Sequence, residues 1–527
     1  MTRMTGGGMK SAHVRLLAIT VLAFAFRLAL LTLVRNPGIN DPVHYYNLGR
    51  RLSEGKGFTI NYVWHYARMP VELTHATDHW MPVPGVLVAL GMAAGGANVH
   101  AALALFIVAG SLIPALVFLA TKQLGQSASS ALMAAAFAAV LPEFVLNSLR
   151  TDTTIVNMAL VVSASLLVNG ALQSGKRLGF LLAGVLFGLA HLTRNDSIIL
   201  FSLLIAYLLL AEGRGIQRAR RADVLLMVAA LGLTVAPWHI RNLNEIGTLG
   251  SPQMSRMPFM VEPRDLYAYG IPVTFESMLE RRGVVELIGK RIFELGAALK
   301  QMAVSLQLPL VFLVPAGVFW SCSKVNGAVL QKLLPALIWI VGILAVYPML
   351  MPVHNQGGSF KKIFLTIMPL LIPAGAIAIE KLTRRRSEWR YAFLLISLAW
   401  LAWSSYDLVR QETANSDRFY QSMQVLVDRL EALPDKTGDG ELRLMSQDPY
   451  VLSVFGYSSV VTPLASREDT LALARTFEID YLLMPAARPA LDPLYLAAET
   501  DPRFVLAAHL AEAGEIPFEL YSFIHED

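Results

Sequence analysis

The sequence predicts a mostly α polytopic membrane protein, with about eleven transmembrane helices and a small C-terminal α/β soluble domain. Composition sets the class: of 527 residues, 55% are hydrophobic and 16% charged, whereas a soluble chain carries about 25% charged residues. Apolar runs set the helix count, each near the roughly 20 residues that cross a bilayer. Strand-like and helix-like stretches that alternate after residue 409 set the tail.

The apolar runs lie at approximately 14–34, 98–121, 127–147, 152–172, 177–192, 196–211, 222–239, 299–320, 328–349, 362–380 and 390–408. The pair 177–192 and 196–211 is short and divided only by Thr193-Arg194-Asn195. The run 82–95, P-V-P-G-V-L-V-A-L-G-M-A-A-G, is too short and too rich in Gly and Pro to span, and reads as a juxtamembrane helix. The first run follows Arg3, Lys10 and Arg15 and precedes no small-x-small cleavage pattern, so it reads as a retained anchor. Domains are expected at 1–409 and 410–527, with outer loops at 35–97 and 240–298.

Lys and Arg in short loops set the orientation. Lys176-Arg177, Arg214 to Arg221 and Lys381 to Arg390 fall on one side, which is then cytoplasmic along with the N-terminus. An odd number of spans puts the C-terminal domain outside. The net charge of +5 is read as this topogenic excess. The single cysteine, Cys322, excludes an internal disulfide framework and a cysteine metal cluster. No P-loop, dinucleotide fingerprint or nucleic-acid motif occurs, so nucleic acid is not an expected partner.

In the tail, E-L-R-L-M-S reads as a strand and Q-D-P-Y-V-L-S-V-F-G as a helix opened by Asp448-Pro449. A second strand follows at S-S-V-V-T-P, a helix begins at Ser466-x-x-Asp469, and a third strand is I-D-Y-L-L-M. The tail carries no nucleophile or metal motif and reads as a lid or docking domain.

With this topology, out-of-place polar residues gather at the outer face. Asp41, His44, Tyr45 and Arg50 lie in the first loop, with His75, Asp78 and His79 further along. Arg150 and Asp152, then Arg194, Asn195 and Asp196, lie in the next two outer loops. Trp238, Arg241 and Asn242 close span seven, and His354, Gln356, Lys361 and Lys362 precede span ten. Ionisable groups at a membrane boundary are costly and therefore functional candidates. Bland roles compete with each. Asp41-Pro42 and Asp152 suit helix N-caps, the lysines and Arg194 suit snorkelling anchors, and Trp238 suits the interfacial belt. The H-x-x-D-H of His75, Asp78 and His79 fits one helical face and could hold a divalent metal ion. Arg27, within the first span, should face a carboxylate or a polar cavity.

Transfer of a sugar from a lipid phosphate would need these residue types. Asp41 can take the acceptor proton. Arg194, Arg241, Lys361 and Lys362 can stabilise the departing phosphate. A loop between spans, with the 82–95 helix, can form a groove at the bilayer edge. Two other classes stay open: a lipid-linked sugar flippase or transporter, and a polysaccharide polymerase or ligase using the 240–298 loop.

The stretch N-D-P-V-H-Y-Y-N-L-G-R-R-L-S-E-G-K-G-F resembles the first-loop signature of C-type (GT-C) membrane glycosyltransferases, the protein O-mannosyltransferases and the bacterial aminoarabinose transferases of lipid A. P-V-P-G, R-T-D-T-T at 150–154, L-T-R at 192–194, A-P-W-H-I-R-N-L-N-E-I-G at 236–247 and K-K-I-F-L-T-I-M-P at 361–369 are similar to further elements of that pattern. The resemblance implies a polyprenyl-phosphate sugar donor and membrane lipids as partners. It makes Asp41 the general base and Asp152 the second acidic residue, and puts Arg194 and Lys362 on the donor phosphate. Pro42 stands where mannosyltransferases often carry a second acid, and Lys362-Ile363 where the pattern has Arg-Tyr.

Overall fold

The computed structural model describes residues 6–210, 219–322, 327–356, 358–384, 387–431, 433, 441–510 and 518–524. Most of the basic run Arg214 to Arg221, Arg385 and Arg386, and the side chain of Gln356 lie outside the described residues.

The chain opens with helix α1 (Gly6–Leu31) and a loop holding α2 (Asp41–Ser53), the two-residue strands β1 (Thr59–Ile60), β2 (Tyr62–Val63) and β3 (His75–Ala76), and α3 (Pro82–Gly95). Next come α4 (Val99–Gln123), α5 (Ala128–Val140), α6 (Pro142–Ser148), α7 (Thr153–Ser174), α8 (Arg177–His191), α9 (Ser197–Leu210) and α10 (Arg221–Ile246). The second long loop contains α11 (Pro252–Arg256) and leads into α12 (Phe275–Leu306) and α13 (Leu310–Ser321). The helical part ends with α14 (Gly327–Leu350), α15 (Pro352–Gln356), α16 (Ser359–Ile367), α17 (Ile372–Leu382) and α18 (Ser387–Leu430).

Each of the eleven apolar runs is helical, but not all as straight spans. Among the described residues six helices are long and apolar enough to cross a membrane, and nine if each of three bent pairs counts as one. The pairs α5/α6, α12/α13 and the α16/α17 segment bend by 55°, 102° and 49°. Prolines explain the breaks: Pro142, Pro309 and the Pro369/Pro373 pair each remove a backbone donor and crowd the preceding turn. The run expected at 299–320 is therefore the end of α12 and a separate α13. Helices α8 and α9, of 15 and 14 residues, complete the set. Outward apolar side chains such as Leu17, Leu233, Phe312 and Ile396 are more than 60% exposed, as lipid-facing surface requires.

Among the described residues Arg27 meets no carboxylate. It is fully buried; its Nε donates to Ser148 Oγ at 3.0 Å and its Nη1 to the Ala23 and Ala139 carbonyls at 3.0 and 3.1 Å. The α5/α6 break frees the carbonyls of the last turn of α5, and Arg27 takes one of them. Gly110 of α4 makes the room, since a Cβ there would lie 1.9 Å from Ser148 Oγ.

The first loop is pinned the same way. A Cβ on Gly49 of α2 would sit 2.2 Å from Val88 Cγ1 and 2.9 Å from the Gly85 carbonyl of α3. Gly49→Ala is therefore expected to overpack the α2–α3 contact by about 1–3 kcal/mol. Its thermal unfolding midpoint in detergent should fall by several degrees, and an unchanged midpoint would contradict so close a contact.

The C-terminal part contributes β4 (Arg443–Ser446), α19 (Pro449–Val454), β5 (Ser458–Val461), α20 (Arg467–Thr476), β6 (Tyr481–Met484), α21 (Asp492–Tyr495), β7 (Phe504–Leu510) and β8 (Phe518–Phe523). The three expected strands and two expected helices are all present, and Ser466 accepts from the Asp469 amide at 3.0 Å. The sheet is larger than expected, with six strands in the order β2-β5-β4-β6-β8-β7. Its edge comes from the first loop: β2 pairs in parallel with β5, Tyr62 opposite Ser459 and Val63 opposite Val460. The boundary expected at 409/410 falls inside α18, which runs 44 residues without interruption. The end of that helix and Val43 of α2 cover one sheet face through Tyr420, Leu426, Leu444, Leu452 and Leu483.

Candidate functional site

A cavity of about 940 Å³ opens where alternate connections of the helix bundle meet. Its lining draws on the first loop, the α6–α7, α8–α9, α10–α12 and α14–α16 connections, the middle of α18, and Tyr450 of the C-terminal part. Four of the five outer stretches whose polar residues were expected to share a face therefore border one cavity; Trp238, Arg241 and Asn242 do not line it.

Asp41 and Asp152 meet in its wall. Thr151 Oγ1 donates to the Pro42 carbonyl at 2.6 Å, which brings the α6–α7 turn against the start of α2. Lys362 of α16 then bridges the two carboxylates: its Nζ lies 2.8 Å from Asp41 Oδ2 and 2.8 Å from Asp152 Oδ2. Trp80 Nε1 donates to Asp41 Oδ1 at 3.2 Å. Asp152 caps α7, accepting from the Thr153 amide at 2.5 Å. Asp41 does not cap α2: Asn40 takes the N-cap position, no side chain caps that end, and the Asp41 carboxylate turns to Trp80 and Lys362. The Asp41 side chain is 42% exposed, against 4% for Asp152. Of the two, Asp41 is thus the more open to a molecule in the cavity. Burial alone would raise the Asp41 carboxyl, but the Lys362 ammonium, the Trp80 N–H and Arg194 outweigh it and hold the group below the usual carboxylate range.

Arg194 also lines the cavity, but it is engaged. Its Nε donates to Asp196 Oδ1 at 3.0 Å and its Nη1 to Thr153 Oγ1 at 3.0 Å. Tyr347 of α14 donates to the same Asp196 carboxylate.

The other expected residues separate. Lys361 pairs with Glu143 at 2.7 Å, and Arg241 donates to the Thr77 and Phe58 carbonyls at 2.7 and 2.8 Å. Neither lines the cavity, so both bind protein where a donor phosphate was expected. Trp238 is not an exposed belt residue: it is buried against Phe58, 5.2 Å between rings, with the Arg241 guanidinium over its indole. Arg50 donates to the Ser453 and Val454 carbonyls and fastens α2 to α19. His44 is buried beneath Trp80, their rings stacked 3.7 Å apart, with Nδ1 2.6 Å from the Tyr62 hydroxyl. Burial pushes its imidazole down to about 3. Tyr45 lines the cavity beside Asp41.

His75, Asp78 and His79 do not form a metal cluster. His75 bonds the Leu73 carbonyl, Asp78 pairs with His65 at 3.1 Å, and His79 meets Ser251 Oγ at 3.0 Å. Their stretch is a strand end and loop rather than one helical face. Among the described residues no group of three or more His, Cys, Asp or Glu could hold a metal ion. The gap between Asp41 and Asp152 is filled by an ammonium, so the residues present do not fit an open divalent site.

Sequence reasoning missed Trp64, Trp80, Tyr267, Tyr347 and Tyr450, all in the cavity wall. The aromatic density of V-W-H-Y and D-H-W-M is the signal for the first two. The other three are placed by tertiary contacts alone.

Residues 76–240 match the family model described as dolichyl-phosphate-mannose-protein mannosyltransferase. No curated protein matches the chain in sequence. Among solved structures, the chain resembles ArnT from Cupriavidus metallidurans bound to undecaprenyl phosphate, at 13% identity and TM-score 0.58 over 97% of this chain and 98% of that one. It also resembles the Archaeoglobus fulgidus oligosaccharyltransferase AglB in complex with an inhibitory peptide and a dolichol-phosphate, at 14% identity and TM-score 0.52 over 89% and 69%. A third is the arabinofuranosyltransferase AftD from Mycobacteria, at 15% identity and TM-score 0.53 over 97% and 40%. The chain is a polytopic membrane protein with the GT-C glycosyltransferase fold, similar over residues 76–240 to the dolichyl-phosphate-mannose-protein mannosyltransferases.

Proposed function

We propose that the protein moves a sugar from a polyprenyl-phosphate-linked donor to an acceptor hydroxyl or amine at the extracytoplasmic membrane face, with inversion and with Asp41 as general base. One observation carries the reading: the exposed Asp41 carboxylate shares an ammonium, 2.8 Å away, with buried Asp152 in a cavity bordered by helix ends. Leu146, Leu149, Ile198 and Ile199 line the same cavity and give a lipid chain an apolar entry. The ionisable groups gather at the loop end of the bundle, where a transporter would place them near mid-span. Two neighbours in fold were solved with polyprenyl phosphates, ArnT with undecaprenyl phosphate and AglB with a dolichol-phosphate.

In the step, the acceptor oxygen bonds to the anomeric carbon as the bond from that carbon to the phosphate oxygen breaks. The acceptor proton goes to Asp41. The lipid phosphate leaves with the bonding electron pair, and Lys362 is the cation placed to meet that charge. Asp152 keeps Lys362 in reach by holding it from the buried side. Arg194, fixed by Asp196, supplies positive potential next to this centre.

The test is transfer by purified protein from radiolabelled polyprenyl-phosphate sugar, with lipids that copurify identified by mass spectrometry. Sugar that stays lipid-linked while crossing the bilayer of proteoliposomes would favour a flippase instead. The same assay gives a pH prediction. The Asp41 carboxyl is held below its unfolded pKa of ~3.9, so its charge, and the ion pair's stabilisation, persist above that value and are lost only as pH falls through the lower folded pKa. His44 and His79 are both pushed down to about 3 by burial and stay neutral over the same range. The rate kcat/KM for the donor should therefore show no acid limb between about pH 8 and 5; a limb near pH 6 would contradict this.

A further inference from the structure

Trp64, His79 and Trp80 form one wall of the cavity beside Asp41. The Trp64 ring lies 4.2 Å from that of Trp80, at 45°, and 4.6 Å from that of His79, at 61°. The three rings hold one another, and His44 stacked under Trp80 fixes the group from below. Tyr267 and Tyr450 line the same cavity.

Two features of this wall point to a ligand. First, Trp64 is 6% exposed and its indole N–H is buried with no partner among the described residues. Such a donor is costly to leave unmade, and a ligand oxygen in the cavity would satisfy it. Second, charge is accounted for elsewhere. The arginines and lysine in the described lining are Arg150, Arg194 and Lys362, and each already faces a carboxylate: Glu412, Asp196, and the Asp41–Asp152 pair. The aromatic wall therefore offers quadrupolar ring faces and neutral hydrogen-bond groups, while Lys362 and Arg194 are the cations that the proposed transfer assigns to the donor phosphate. An aromatic face attracts the weakly positive C–H face of a sugar ring, and ring N–H and O–H groups serve hydroxyls at its rim.

Resting on the glycosyl-transfer reading of this cavity, we propose that the Trp64–His79–Trp80 wall is the acceptor subsite and that the acceptor is a neutral saccharide. Its sugar ring stacks on the wall, a ring hydroxyl or ether oxygen accepts from Trp64 Nε1, and a neighbouring hydroxyl is presented to Asp41, which Trp80 Nε1 holds in place.

Binding can be tested without the donor. Full-length protein in nanodiscs is titrated with neutral pentasaccharides of glucose, mannose and arabinose, following tryptophan fluorescence and calorimetry. Saturable binding of at least one pentasaccharide is expected. Trp64→Phe, which keeps a ring and removes the N–H, should weaken it about tenfold, the worth of one buried hydrogen bond. Tyr267→Phe, which removes a hydroxyl at the cavity wall and keeps the ring under the Arg488 guanidinium, serves as the second variant and should weaken binding with the unfolding midpoint close to wild type. No saturable binding at millimolar saccharide, or binding indifferent to both variants, overturns the subsite. Transfer to a Ser/Thr peptide or to a phosphorylated glycolipid, with the pentasaccharides refused, also overturns it while leaving glycosyl transfer intact. Saccharide binding that depends on Trp64, with no transfer from any lipid-linked donor, upholds the wall as a saccharide site and overturns the transfer reading together with the acceptor role that rests on it.

Discussion

Asp41→Asn is expected to lower sugar transfer by about 10²–10⁴-fold, the usual worth of a positioned general base. The substitution preserves shape. An amide oxygen can still accept from Trp80 Nε1, now 3.2 Å from Asp41 Oδ1, and α2 loses no cap because Asp41 does not serve as one. The loss should therefore appear in kcat, with the KM for the lipid donor little changed and the unfolding midpoint close to wild type. Undiminished transfer would remove Asp41 from the role of base.

Removing the cation has a different signature. Lys362→Met leaves Asp41 and Asp152 beside one another without the ammonium that both contact at 2.8 Å. Losing one member of a fully buried ion pair costs about 3–5 kcal/mol. The cost here is smaller on the Asp41 side, which is open to the cavity, so most of it comes from the 4%-exposed Asp152. Transfer should fall by two orders of magnitude or more, since in the proposed step the leaving phosphate loses its nearest cation, and the unfolding midpoint should fall with it. Lys362→Arg should restore the midpoint and part of the rate. The double variant Lys362→Met with Asp152→Asn should regain most of the stability and no activity. A single Lys362→Met variant that is as stable and as active as wild type would refute the bridging role.

These residues show how far a sequence reading reaches. Hydropathy locates each apolar helix because burial in lipid leaves a long, one-sided signal; it does not register bends, which depend on where Pro142 and Pro309 meet neighbouring helices. Asp41, Asp152 and Lys362 are legible because each is a charge beside a span. Lys361 and Lys362 look equivalent in sequence, yet neighbours on a helix point about 100° apart, so one reaches Asp41 and the other Glu143. Arg241 is chemically a good phosphate ligand, but its donors are committed to the Thr77 and Phe58 carbonyls, a partnership residue type cannot reveal. The contributions of Tyr347 and Tyr450 depend on packing across the whole chain.

The edge strand β2 carries a consequence for how the chain is made. Its partners at Ser459 and Val460 lie about 400 residues later, so during synthesis Tyr62 and Val63 wait unpaired until nearly all of the protein has emerged. Pairings of such sequence separation form late and slowly. Truncated products that stop before β5 would carry an intact run of membrane helices with the first loop unanchored, and the aromatic wall that follows β2 would be the last part of the cavity to settle. Completion of the cavity is in this way tied to completion of the polypeptide.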